Sequence, residues 1–81
     1  MTAVLDVMHA EALFASDLQP SEHLTAREIR VEVMATILRH GVDGCAEILA
    51  YESGEHPTQA AARMRWAAAT VRAAYETAGA C

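Results

Sequence analysis

The chain has no lysine, one tryptophan, one phenylalanine and two prolines in 81 residues, and each scarcity narrows what it can be. Without lysine, its fixed positive charge rests on six arginines against eleven carboxylates, a net charge of −5. A surface so acidic excludes indiscriminate attraction to nucleic-acid phosphates, because that attraction depends on many cationic contacts. Long apolar runs are missing too: no window approaches the ~18 apolar residues that a membrane span needs. The N-terminus lacks the basic region and cleavage pattern of a signal peptide, so the expected location is the cytoplasm, with no membrane partner. No stretch alternates β-branched residues at period two, which leaves no strand to build a sheet from. Two cysteines cannot form a disulfide framework: Cys45 reads as a small buried apolar group and the terminal Cys81 as an exposed thiol.

What is present is alanine, 18 of the 81 residues, set in helical patterns. The expected fold is therefore all-α: one domain over 1–81, a small bundle of about four helices at 3–16, 26–40, 44–53 and 57–77. A linker at 17–24 joins the first helix to the rest, since Pro20 biases Gln19 away from helix. In the first helix Val4, Val7, Met8, Phe14 and Leu18 fall roughly on one face, interrupted by Glu11. The second helix has the best-marked start. Thr25 and Glu28 have the spacing of a capping box, and Leu24 and Ile29 that of a hydrophobic staple. Its apolar stripe is expected to be Ile29, Val33, Met34, Ile37 and Leu38, and Gly41 is expected to cap it in a left-handed conformation. Asp43 would start the third helix and Gly54 end it, with Cys45, Ile48 and Leu49 inward.

The fourth helix is expected to be the longest and the one the others pack around. Pro57 suits its first turn, where a missing N–H has no partner to lose. Ala61, Met64, Ala68, Val71, Tyr75 and Ala78 step by three and four into a seam whose knobs are mostly small. Trp66 points away from that seam, beside Ala62, Ala69 and Ala73. A helix apolar on two sides is buried on two sides or shared with a partner. Trp66 either packs under the N-terminal part of its own chain or makes a dimer contact. The candidate partner interface is Met64, Trp66, Val71 and Tyr75.

Charge is unevenly placed. Residues 1–55 hold ten acids and three arginines, whereas 56–81 hold one acid and three arginines. That asymmetry fits an acidic body complemented by a basic last helix. A basic helix preceded by a turn also has the order of a helix-turn-helix. The run from Leu49 to Met64 resembles, without gaps, region 4 of bacterial sigma factors, with Leu49-Ala50 before the turn glycine and Arg63-Met64 inside the second helix. The resemblance covers residues 49–64 only, and it implies that Thr58, Gln59, Ala62 and Arg63 face DNA. The chain also resembles short helical proteins of high-GC bacteria that carry no assigned activity.

Other chemistry is thinly represented. His9, His23, His40 and His56 are scattered, and no two share the i,i+4 face of a helical zinc site, so no metal and no cofactor are expected. No nucleophile elbow, glycine-rich phosphate loop or His-Glu pair on one helical face appears, and no catalytic residue is expected. The sequence-level expectation is a non-catalytic helical interaction or regulatory module, a homodimer or bound to another protein. A DNA-binding helix-turn-helix regulator is the alternative. An accessory subunit of a larger enzyme is compatible with the same residues.

Overall fold

A computed structural model describes the backbone of residues 3–79 and the side chains of 6–76. All regular structure among the described residues is helical: α1 (Ala3–Ala15), α2 (Ala26–Glu55) and α3 (Pro57–Gly79). There are three helices, not four, and α2, with 30 residues, is the longest. The expected gap between 40 and 44 is one residue, Gly41, at φ 77° and ψ 162° inside α2. Its φ is positive as a capping glycine's would be, but its ψ is extended, so the chain kinks there and resumes helix at once. A straight 30-residue helix would reach about 45 Å, more than the longest extent of the molecule, 40 Å. The kink keeps the two halves of α2 on one core. Gly44 helps it: a Cβ there would lie 3.1 Å from the His40 Cβ, tighter than ordinary packing.

The start of α2 is built as its sequence suggests. Thr25 Oγ1 accepts from Glu28 N at 3.1 Å, and Glu28 Oε1 accepts from Thr25 N at 2.8 Å. Two N–H groups that the helix cannot use are thereby satisfied. Its end differs. Gly54 lies within the helix, which runs on to Glu55, and only His56 (φ −139°, ψ 66°) separates α2 from α3. The His56 N–H donates to Glu52 O at 2.7 Å, and the His56 carbonyl accepts from Ala60 N at 2.8 Å. The corner closes in one residue because Pro57 needs no donor partner and enters helix directly.

Each helix packs on both others around one core. Leu13, Val33, Thr36, Cys45 and Val71 are its largest fully buried side chains, with Phe14 and Ile29 close behind. Thr36 is tolerated there because its Oγ1 donates to Glu32 O at 2.8 Å, one turn back in its own helix. From α3 come Ala60, Ala67, Val71 and Ala74, with Met64, Trp66 and Tyr75 packed at the edge. The buried line thus lies about one residue off the expected seam, and Ala61 is exposed. The side chains of Val4 and Ala78, and all of Cys81, fall outside the described residues. Small alanine knobs let α1 and α2 approach the α3 backbone closely.

Two apolar assignments are corrected. Val7 is exposed in α1, where the buried set is Ala10, Ala12, Leu13 and Phe14. Met34 and Leu38 do not line the core: they are 50% and 79% exposed, while Ile29 and Val33 on the same helix are buried. Five apolar residues in ten positions of α2 cover a wider arc than two neighbouring helices can bury.

Candidate functional site

Arg63 sits where the three helices converge. Its Nε donates to Phe14 O at 2.9 Å, and its Nη2 donates to Ser16 O and Leu18 O, both at 2.9 Å. Leu13 O lies farther, at 3.5 Å. These carbonyls belong to the last turn of α1 and the residues just after it, groups that a helix end leaves without partners. A guanidinium there also meets the negative end of the α1 dipole. Ser16 completes the cap, with Oγ donating to Leu13 O at 2.6 Å and accepting from Leu18 N at 3.2 Å. The Arg63 guanidinium also contacts two rings, its Cζ 4.9 Å from the Trp66 centroid and 5.7 Å from that of Phe14. Burial lowers the Arg63 pKa from its usual value, and the nearby Asp17 carboxylate opposes the shift. An arginine remains charged through such a shift.

This geometry places the residues expected to face DNA in two groups. Thr58, Gln59 and Ala62 are exposed on the first turns of α3. Arg63, the cationic member, is turned inward and donates to carbonyls at and just after the end of α1. An open cleft of about 610 Å³ lies beside it, bordered by Asp17, Glu52, His56 and Gln59. Two of those side chains are carboxylates, which disfavours phosphate in the cleft.

The residues expected to form a partner interface are largely used within the chain. Val71 is 1% exposed, and Met64, Trp66 and Tyr75 are half-buried against the core. Trp66 packs at the edge of the core and, with the linker residues Leu18, Pro20 and Leu24, borders a groove of about 370 Å³. Tyr75 stacks on His9, ring centroids 4.4 Å apart and planes 13° from parallel. Its hydroxyl pKa is raised by burial, with the Arg30 charge opposing. Arg30 Nη1 donates to Ala74 O at 2.9 Å and so ties the start of α2 to α3. Trp66 is thus half-buried within its own chain.

Histidines and thiol are equally dispersed. His23 and His40 are exposed, His56 caps α2, and the His9 Nδ1 is buried without a hydrogen-bond partner. Cys45 is buried, and burial, reinforced by the Glu11 charge, raises its thiol pKa. Among the described residues, no three His, Cys, Asp or Glu side chains are grouped so that they could hold a metal ion. Likewise, no described helix is long and apolar enough to cross a membrane.

The surface that the sequence reading missed is on α2. Val31, Met34 and Leu38 step by three and four along one side of the helix and are 60%, 50% and 79% exposed. Val42, just beyond the kink, is also partly exposed. The signal was available in the sequence: Arg27, Val31, Met34 and Leu38 have the 4, 3, 4 spacing of a helix–helix seam. It was hidden because Met34 and Leu38 could be assigned equally well to the stripe of Ile29 and Val33. No family model, curated protein or solved structure matches the chain.

Proposed function

We propose that the chain is a non-catalytic helical interaction module that makes its contact through the outer face of α2. The observation that carries this reading is the apolar line of Val31, Met34 and Leu38, which is left in water while a neighbouring line on the same helix is buried. Scattered exposed apolar residues are ordinary on a protein surface, but three in helical register, with charge only at their borders, make a contiguous patch of the kind that partners cover. The engagement of Arg63 with four carbonyls at and just after the end of α1 weighs against a DNA-reading role, because it removes the best-placed cation from the α3 surface.

Site-specific photocrosslinking in cells tests the proposal. A photoreactive residue at position 38 should give protein adducts, and one at exposed Ala62 on α3 should not. Equal labelling at the two positions would remove the α2 face from consideration. Duplex binding that is sequence-specific and lost on substitution of Thr58 and Gln59 would instead establish the helix-turn-helix function.

A further inference from the structure

We propose that the occupant of the α2 face is a second copy of the same chain, with the two α2 helices antiparallel about a two-fold axis that passes between Val31 and Met34. The inference rests on the interaction reading above and adds the identity and orientation of the partner. Its argument is the distribution of charge around the apolar line. Glu28, Glu32, Ala35 and Arg39 follow one flank of Val31, Met34 and Leu38 in helical register, with Glu28 near one end, Arg39 near the other, and the half-buried Glu32 carboxylate 3.5 Å from Thr36 Oγ1 of its own helix. Glu28 and Arg39 are both exposed.

In an antiparallel two-fold pair the same flank of each helix meets its own copy, running in the opposite direction. Glu28 of one copy then lies beside Arg39 of the other, and the pair occurs twice by symmetry. Val31 packs against Met34 of the second copy, and the aliphatic stem of Arg27 covers its Leu38. Ala35 sits between the two ion pairs and offers little bulk, so the helices can come close. A parallel arrangement sets Arg27 against Arg27 and leaves Glu28 and Arg39 without each other, so like charges oppose it. The capping box uses one Glu28 oxygen, Oε1, and leaves the second for the interchain contact.

The straight part of α2 before Gly41 is short, about 22 Å for 15 residues, so the contact belongs with small, reversible interfaces. Dimerisation in the micromolar range is therefore expected.

Sedimentation equilibrium of the full chain, in reductant and from micromolar to submillimolar concentration, reads the association directly. Leu38→Glu should weaken it by at least about tenfold, a loss of about 1.4 kcal/mol. Arg39→Glu and Glu28→Arg should each weaken it, and the doubly exchanged chain, with both substitutions, should recover most of the lost affinity. Helix content by circular dichroism confirms that each variant is folded, which matters most for Glu28→Arg because it also removes a capping contact. A wild-type chain that stays monomeric across the range overturns the second-copy inference. A dimer whose double exchange is no tighter than the single variants overturns the antiparallel register. Photocrosslinking at position 38 separates the two levels: adducts to another protein from a monomeric chain sink this inference and keep the interaction reading, whereas no adducts sink both.

Discussion

The inner face of α3 and the outer face of α2 are both apolar, yet one is covered and the other is not. On α3, Ala60, Ala67, Val71 and Ala74 lie against α1 and α2. On α2, Val31, Met34 and Leu38 carry larger side chains and remain largely in solvent. Hydrophobicity alone would have ranked them the other way. What separates them is fit and anchoring. Small residues permit close helix approach, and two arginines fasten α3 to its neighbours, Arg63 on the carbonyls after α1 and Arg30 on Ala74 O. Among the described residues, no such fastening reaches the Val31, Met34 and Leu38 line of α2. An apolar line on a three-helix protein is therefore core only where the backbone geometry and the polar anchors bring a neighbour to it.

The strongest way to break that comparison is to damage the covered side. Leu13→Ala removes a fully buried side chain from α1 and leaves a cavity, with an expected loss of about 2–5 kcal/mol. Denaturant unfolding followed by circular dichroism measures it, and a loss below 1 kcal/mol would mean that α1 is not part of the cooperative core. Next in size is Arg63→Met, which keeps much of the side-chain bulk and removes the charge. Three carbonyls lose a short charged donor and both ring contacts lose their cation, so about 2–3 kcal/mol is expected. Arg65→Met, on the exposed side of the same helix, should change stability by less than about 0.5 kcal/mol. Equal effects at 63 and 65 would contradict the anchoring role.

Much of this was legible in the sequence, and the residues show where legibility stopped. The all-helical class, the capping box at Thr25 and Glu28, and the entry of Pro57 into the last helix followed from local rules, because neighbours within four residues decide them. The count of helices did not, since a glycine can stop a helix or merely kink it, and Gly41 does the second. Nor did the direction of Met34, Leu38 and Val7, because periodicity gives the apolar side of a helix but not which part of a wide side is covered. The hydrogen-bond partners of Arg63 could not be read from the sequence either. The carbonyls it satisfies are 45 to 50 residues away in sequence, and no local pattern joins them.

The kink and the cap supply two intermediate tests. Gly41→Ala forces a β-carbon into a positive-φ, extended-ψ conformation that is essentially reserved for glycine, at an expected cost of about 1–3 kcal/mol. Open space around Gly41 means that this cost is conformational and not steric crowding. A neutral result would show that α2 can straighten or re-bend freely. Thr25→Ala removes one of the two reciprocal capping bonds and should cost about 1 kcal/mol. Amide exchange at Glu28 is its local measure, since that N–H loses its acceptor.

The smallest expected effect on stability is the one that sharpens the comparison most. Leu38→Ala removes a larger side chain than most core substitutions in α3 could, yet Leu38 is 79% exposed and lies outside the core cluster. A side chain already in water has little burial to lose, and alanine is the better helix former, so the change for the isolated chain should stay within about 0.5 kcal/mol of zero. Measured in dilute solution, where association is absent, denaturation midpoints of wild type and Leu38→Ala should coincide. Measured at high concentration, they should separate, with the wild type more stable, because a partner bound only to the folded state adds to its stability by mass action. A large loss in dilute solution would place Leu38 in the core of the single chain. The exposed face of α2 would then no longer stand apart from the covered face of α3.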